Sequence, residues 1–154
     1  MPGKGTVDGE GSGYDTGSGQ RVPVEQGCGA NDIDWSAKSQ AGGYILIMAK
    51  AKSGISCWLP AELPTVAFGS DGTEAGPAEQ TPATDIKLSG STVAYAGVIT
   101  KTTKGNWSKV LDSIIVGVGD EDPDPVSLSV GTINVDHPVV TNWHTAAKDA
   151  VPHS

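Results

Sequence analysis

Arginine is almost missing from this 154-residue chain. Arg21 is the only one, and ten basic residues in all stand against 18 acidic ones, a formal net charge of -8. Displacing counterions from phosphates takes a dense basic face, so this balance argues against a nucleic-acid partner. Long apolar runs are missing too. Nothing approaches the roughly 20 apolar residues that span a bilayer, and no basic start leads into an apolar signal core, so neither a transmembrane segment nor an export leader is expected in these residues. Cysteine is scarce, at two residues, and neither lies near a histidine pair with the spacing of a tetrahedral zinc site. No Gly-x-Ser-x-Gly elbow or other nucleophile signature occurs. The expectation is a protein without a cofactor and without enzymatic activity.

Glycine is plentiful: 21 residues, seven of them among the first twenty. Residues 1–27 carry almost no apolar side chain larger than valine apart from Tyr14. Burial there cannot offset backbone ordering at about 1 to 2 kcal/mol per residue, so this stretch reads as a disordered, glycine-rich tether. Residues 28–154 read differently, as one folded domain of short β-branched runs separated by turn residues. Strands are expected at Ile33 to Ala37, Tyr44 to Lys52, Val66 to Gly69, Asp85 to Leu88, Val93 to Lys101, Ser113 to Val118 and Val126 to Val130. The Ala/Lys alternation that ends the second run suggests a strand leaving the core for an exposed edge. Beyond Val130 the apolar positions change parity at Gly131, the mark of a bulge or tight bend.

Two short helical candidates remain, Lys109 to Ser113 and Asn142 to Ala150. The stretch from Gly69 to Thr84 lacks apolar periodicity and reads as a long exposed crossover. Many short strands with such a crossover predict an all-β fold, an antiparallel Greek-key β-sandwich.

Cys28 opens the folded region and Cys57 follows the second main strand. A bridge between them would close a loop of about 29 residues, for about 3 to 4 kcal/mol in the chain-entropy model, and two buried free thiols are the alternative. The order of Cys28, then Cys57-Trp58-Leu59, Pro64-Thr65-Val66, and Leu88-Ser89-Gly90 with Val93-Ala94-Tyr95-Ala96 resembles the secreted and lipoprotein actinobacterial domain of unknown function 4232. That resemblance, over about Cys28 to Val151, implies an immunoglobulin-like sandwich, an extracytoplasmic setting, a Cys28 to Cys57 disulfide and no known enzymatic activity. It supplies no catalytic residue.

The candidate contact residues are few. Trp107 lies in a polar loop, and an exposed loop tryptophan offers a large contact area at little entropic cost. Trp143 and His144 form a second candidate near the C-terminus, while Tyr14 and Arg21 are candidates in the tail. Trp58 is expected to pack on the disulfide, and Trp35 is a further platform for a sugar ring. Asp136 and His137 suggest a fragment of a triad, but neighbours on a strand point to opposite faces, so Asp136 should not orient the His137 ring. Asp120, Glu121, Asp122 and Asp124 concentrate carboxylates as calcium loops do, without the ligand spacing of such a loop, and a solvated loop is favoured.

The function these residues suggest is a secreted adaptor that binds protein partners in an exported complex, such as a toxin-type bacterial assembly, with the tail docking on a partner. A carbohydrate or cell-wall glycan module using loop tryptophans is the alternative.

Overall fold

The computed structural model describes residues 14–15, 21–22, 27–41, 43–69, 72–79, 82–105, 107–119 and 125–152. Among them the regular structure is all β apart from two three-residue 3-10 turns, Ala30–Asp32 and Ala147–Asp149. The strands are β1 (Tyr14–Asp15), β2 (Arg21–Val22), β3 (Ile33–Ser39), β4 (Ile45–Ala51), β5 (Cys57–Leu59), β6 (Thr65–Phe68) and β7 (Thr73–Glu74). They continue with β8 (Gly76–Pro77), β9 (Ile86–Leu88), β10 (Val93–Ile99), β11 (Lys109–Gly117), β12 (Val126–Val135) and β13 (Val139–Val140).

One sheet has the order β3-β4-β10-β13-β8, a second β12-β11-β6-β7, and β5 pairs with β9 in a small third sheet. In the tail, β1 and β2 pair antiparallel, and the rest of the expected tether lies outside the described residues.

Period-two burial builds the core. Ala94, Ala96 and Val98 of β10 are buried at alternate positions, as are Val66 and Phe68 of β6 and Ile114 and Val116 of β11. Inward residues of both large sheets join one apolar cluster, which also holds both cysteines. Cys28 and Cys57 form a disulfide, with Cα atoms 4.9 Å apart. Beside it the Cys28 amide donates to the Trp58 carbonyl at 2.8 Å, so the covalent bond and a backbone bond together fix the entry of the chain into the domain.

Several expectations are corrected. Tyr44 to Lys52 does not run to an edge: β4 lies between β3 and β10, and the alternation arises because Ala49 and Ala51 face the core while Lys50 faces solvent. Lys109 to Ser113 is the start of β11 rather than a helix, because pairing with β12 overrides a weak local preference. The helix expected at Asn142 to Ala150 reduces to the second 3-10 turn.

The crossover after Gly69 is not simply exposed. β8 runs parallel to β13, the one parallel strand pair among the described strands, and the Gly76 and Ala78 amides donate to the carbonyls of Pro138 and Val140. At Gly131 the expected irregularity is present. Its φ is 76°, and the β11–β12 register shifts from Leu111 opposite Ile133 to Ser113 opposite Ser129.

Candidate functional site

Three chain segments meet at one end of the two large sheets: the turn between β3 and β4 with the strand ends beside it, the end of β10 with the start of the loop to β11, and the last part of β12. They enclose an open cleft of about 400 Å³. Its apolar lining includes Ile45, Val98 and Ile133, and polar groups come from Ser39, Gln40, Thr100, Lys101, Thr132 and Asn134.

The β10–β11 loop rises beside this cleft. The Lys101 ammonium donates to the Gly105 carbonyl at 2.6 Å, curling the loop back on itself. Ser108 is 3.5 Å from the Asn134 side chain, which places the loop against a lining residue. Between these two ties stands Trp107, 88% exposed. No other tryptophan is that open. Trp107 was legible as a candidate because its neighbours are polar and include a glycine; the cleft was not, since its lining comes from three separated stretches.

The structure separates Trp107 from the other candidates. Trp143 is buried, its indole N–H donates to the Val118 carbonyl at 3.2 Å, and its ring lies 5.9 Å from that of Trp35. Both rings are thus packing elements. Val118 follows β11 and Trp107 precedes it, so the length of that strand, roughly 30 Å for nine residues, separates the two tryptophans. Trp58 is half-buried between the fully buried Cys57 and Leu59, on the opposite side of its strand from the disulfide.

His144 is also committed elsewhere. Its Nε2–H donates to Glu79 at 2.7 Å, and the same carboxylate oxygen accepts the Asn142 amide at 2.8 Å. The pair fastens the crossover to the segment after β13. For Tyr14 and Arg21 only the backbone pairing of β1 with β2 is described. Asp120, Glu121, Asp122 and Asp124 lie outside the described residues, and no group of metal-ligating side chains occurs among the described ones.

The Asp136–His137 pair requires a further correction. The two side chains do meet, with the His137 Nδ1–H donating to Asp136 at 3.0 Å. The opposite-face rule fails because His137 is not extended: its φ is 51°, which turns the ring back onto its neighbour. Thr103 donates to the other Asp136 oxygen at 2.5 Å, and Thr102 to the His137 carbonyl at 2.8 Å.

The Asp136 carboxyl is held below its ordinary value of 3.8, chiefly by the Thr103 hydrogen bond, with attraction from His137 and Lys101 opposed by partial desolvation. A lowered folded-state value contributes stability that is complete above the unfolded value and disappears as pH falls through the folded one. Thr103→Val is expected to move the Asp136 titration midpoint, followed by carboxyl NMR shifts, upward toward 3.8. An unmoved midpoint would show that Thr103 does not set it.

The family model described as Domain of unknown function (DUF4232) matches residues 28–144. The chain belongs to the DUF4232 family. The match starts at the disulfide cysteine Cys28 and ends at His144, so the cleft, Trp107 and the Asp136–His137 turn all lie inside the DUF4232 domain. The 3-10 turn Ala147–Asp149 follows it. No curated protein and no solved structure matches the chain. No helix among the described residues is long and apolar enough to cross a membrane.

Proposed function

We propose that this DUF4232 chain is a non-enzymatic, exported interaction module whose contact surface is the pole bearing Trp107 and the cleft. The observation that carries this reading is the contrast among the tryptophans. Trp143 and Trp35 pack against each other at a tilt and Trp58 is half-buried, while Trp107 stands 88% exposed beside an open cleft. Leaving such a ring in water gains nothing for folding, whereas its area is recovered when a partner covers it.

The hydroxyls nearest the Asp136–His137 pair support a structural role for it. Thr103 donates to Asp136 and Thr102 to the His137 carbonyl, so neither hydroxyl is offered to the ring as a nucleophile. Secretion is the setting that suits the disulfide. The strand orders of the two sheets, with β4 beside β10 and β11 between β12 and β6, support an immunoglobulin-like Greek key. In this proposal the N-terminal tail provides a second contact, docking on the partner as an extended strand.

A specific observation also favours a second reading. Hydroxyl and amide groups of Ser39, Gln40, Thr100, Thr132 and Asn134 line the cleft beside Trp107, a set that suits a sugar ring stacked on the indole. Capture from native culture medium, run in parallel with a glycan array, separates the two. The adaptor reading predicts a co-purifying protein that is lost with Trp107→Ala or weakened by deleting residues 1–27, and no glycan signal. Glycan binding abolished by Trp107→Ala, without a protein partner, would replace it.

A further inference from the structure

We infer that the cleft beside Trp107 is the docking site for an acidic, extended segment of a partner protein, an inference that rests on the contact surface proposed above. Charge is unevenly placed in the molecule. The chain carries 18 acidic residues against 10 basic ones, yet Lys101 is the only charged residue among those lining the cleft. Lys104, on the same loop, is exposed, as is Lys38 at the end of β3. The nearby carboxylate of Asp136 is outside the lining and already holds the Thr103 hydroxyl and the His137 ring. Among the described residues the ammonium groups of Lys101, Lys104 and Lys38 outnumber the one carboxylate, Asp136, that attracts Lys101, and a partner's carboxylates complete that arrangement.

Shape and backbone chemistry select the rest of the occupant. The buried side chains of Ile45, Val98 and Ile133 give the opening an apolar floor for one side chain of the segment. Thr132, Ile133 and Asn134 belong to β12, the outermost strand of its sheet, and among the described strands β12 pairs only with β11. β3 of the other sheet lies close to β12 without pairing with it, and at the cleft, lined by Ser39 of β3 on one side and Thr132 to Asn134 on the other, β12 offers backbone donors and acceptors to an extended segment. Trp107 then packs over the segment, flanked by Lys101 and Lys104.

The test is a display selection of random dodecapeptides against the full-length chain. The expected outcome is enrichment of sequences that combine two or more acidic residues with an apolar one. A synthetic peptide of the winning sequence should then bind at least tenfold more weakly to Lys101→Glu/Lys104→Glu and to Trp107→Ala. Lys101→Gln, which removes the charge without reversing it, should give a smaller loss in the same direction, and unchanged melting curves separate lost binding from lost folding.

No enrichment, enrichment without an acidic bias, or binding indifferent to these substitutions would overturn the inference. So would tighter binding of the wild type to phosphatidylglycerol vesicles or to a sulfated oligosaccharide, lost in the same variants. If Trp107→Ala abolishes partner capture while the lysine reversals do nothing, the acidic occupant fails and the contact surface stands.

Discussion

Cys57→Ser is expected to cost about 3.5 kcal/mol, the largest stability loss from any single substitution considered, since the bridge closes a loop of roughly 29 residues. The sequence separation of Cys28 and Cys57 sets this value. The location of the bond adds to its effect. Cys57 is fully buried opposite Leu88 in the β5–β9 pair, and Cys28 is joined to the same small sheet through the Trp58 carbonyl. Without the bridge, the approach to the first 3-10 turn and β3 is held by a hydrogen bond and local packing alone. For a domain of this size the loss corresponds to a fall in Tm of roughly 10 to 15 °C. Because serine also buries a hydroxyl, Cys28→Ala/Cys57→Ala and reduction of the wild type are the controls. Denaturation midpoints that agree between oxidised and reduced protein would contradict the assignment.

Gly97→Ala is expected to cost about 3 kcal/mol, at the upper end of the range for overpacking a filled core. Here the clash involves the first side-chain atom, so no rotamer avoids it. A Cβ at position 97 would lie 1.9 Å from the Ala150 carbonyl oxygen and 2.6 Å from Pro152 Cδ. The strand itself has little freedom to retreat. The Gly97 amide donates to the Thr141 hydroxyl at 3.0 Å, its carbonyl accepts the Thr141 amide at 2.9 Å, and on its other side β10 is paired with β4. The C-terminal segment must therefore lift, exposing Ala150 and Pro152, both buried against β10. Limited proteolysis should cut the Gly97→Ala protein after residue 146 while the wild type resists. In a chain ending at residue 146 the same substitution should cost little. An equal loss in both backgrounds would place the strain elsewhere.

These two positions show what one-dimensional reading reaches. The disulfide was accessible because two cysteines allow one pairing, an export-like tail favours it over two buried free thiols, and the family resemblance implies it. Gly97 was not, because nothing in Ala96-Gly97-Val98 indicates that a segment more than fifty residues later lies against it. The same division runs through the fold. Strands with strong local patterns, such as β4, β10 and β12, could be placed from alternation and β-branching, and the parity change at Gly131 marked a real bulge. The two-residue strands β7, β8 and β13 carry no such signal, since they exist only through partners distant in sequence.

The candidate site divides in a similar way. Trp107 could be singled out from its polar neighbours. The pairing of His144 with Glu79 spans 65 positions and follows from the crossover lying against the segment after β13. The contact between Asp136 and His137 depends on one backbone angle, the left-handed conformation of His137, which the rule for extended neighbours does not anticipate. Pro138 gives no cue to it, since the residue before a proline is ordinarily extended.

In the proposed function, the pole bearing Trp107 is where this protein meets its partner. The most direct test is calorimetric titration of the partner recovered from native medium against the wild type and Trp107→Ala. A central anchor residue is expected to contribute at least about 2 kcal/mol, which corresponds to a Kd raised roughly thirtyfold. Trp107 is almost fully exposed in the free chain, so the substitution should leave Tm unchanged. The expected outcome is a thirtyfold weaker Kd with an unchanged Tm; equal Kd values for the two proteins would rule out Trp107 as the anchor.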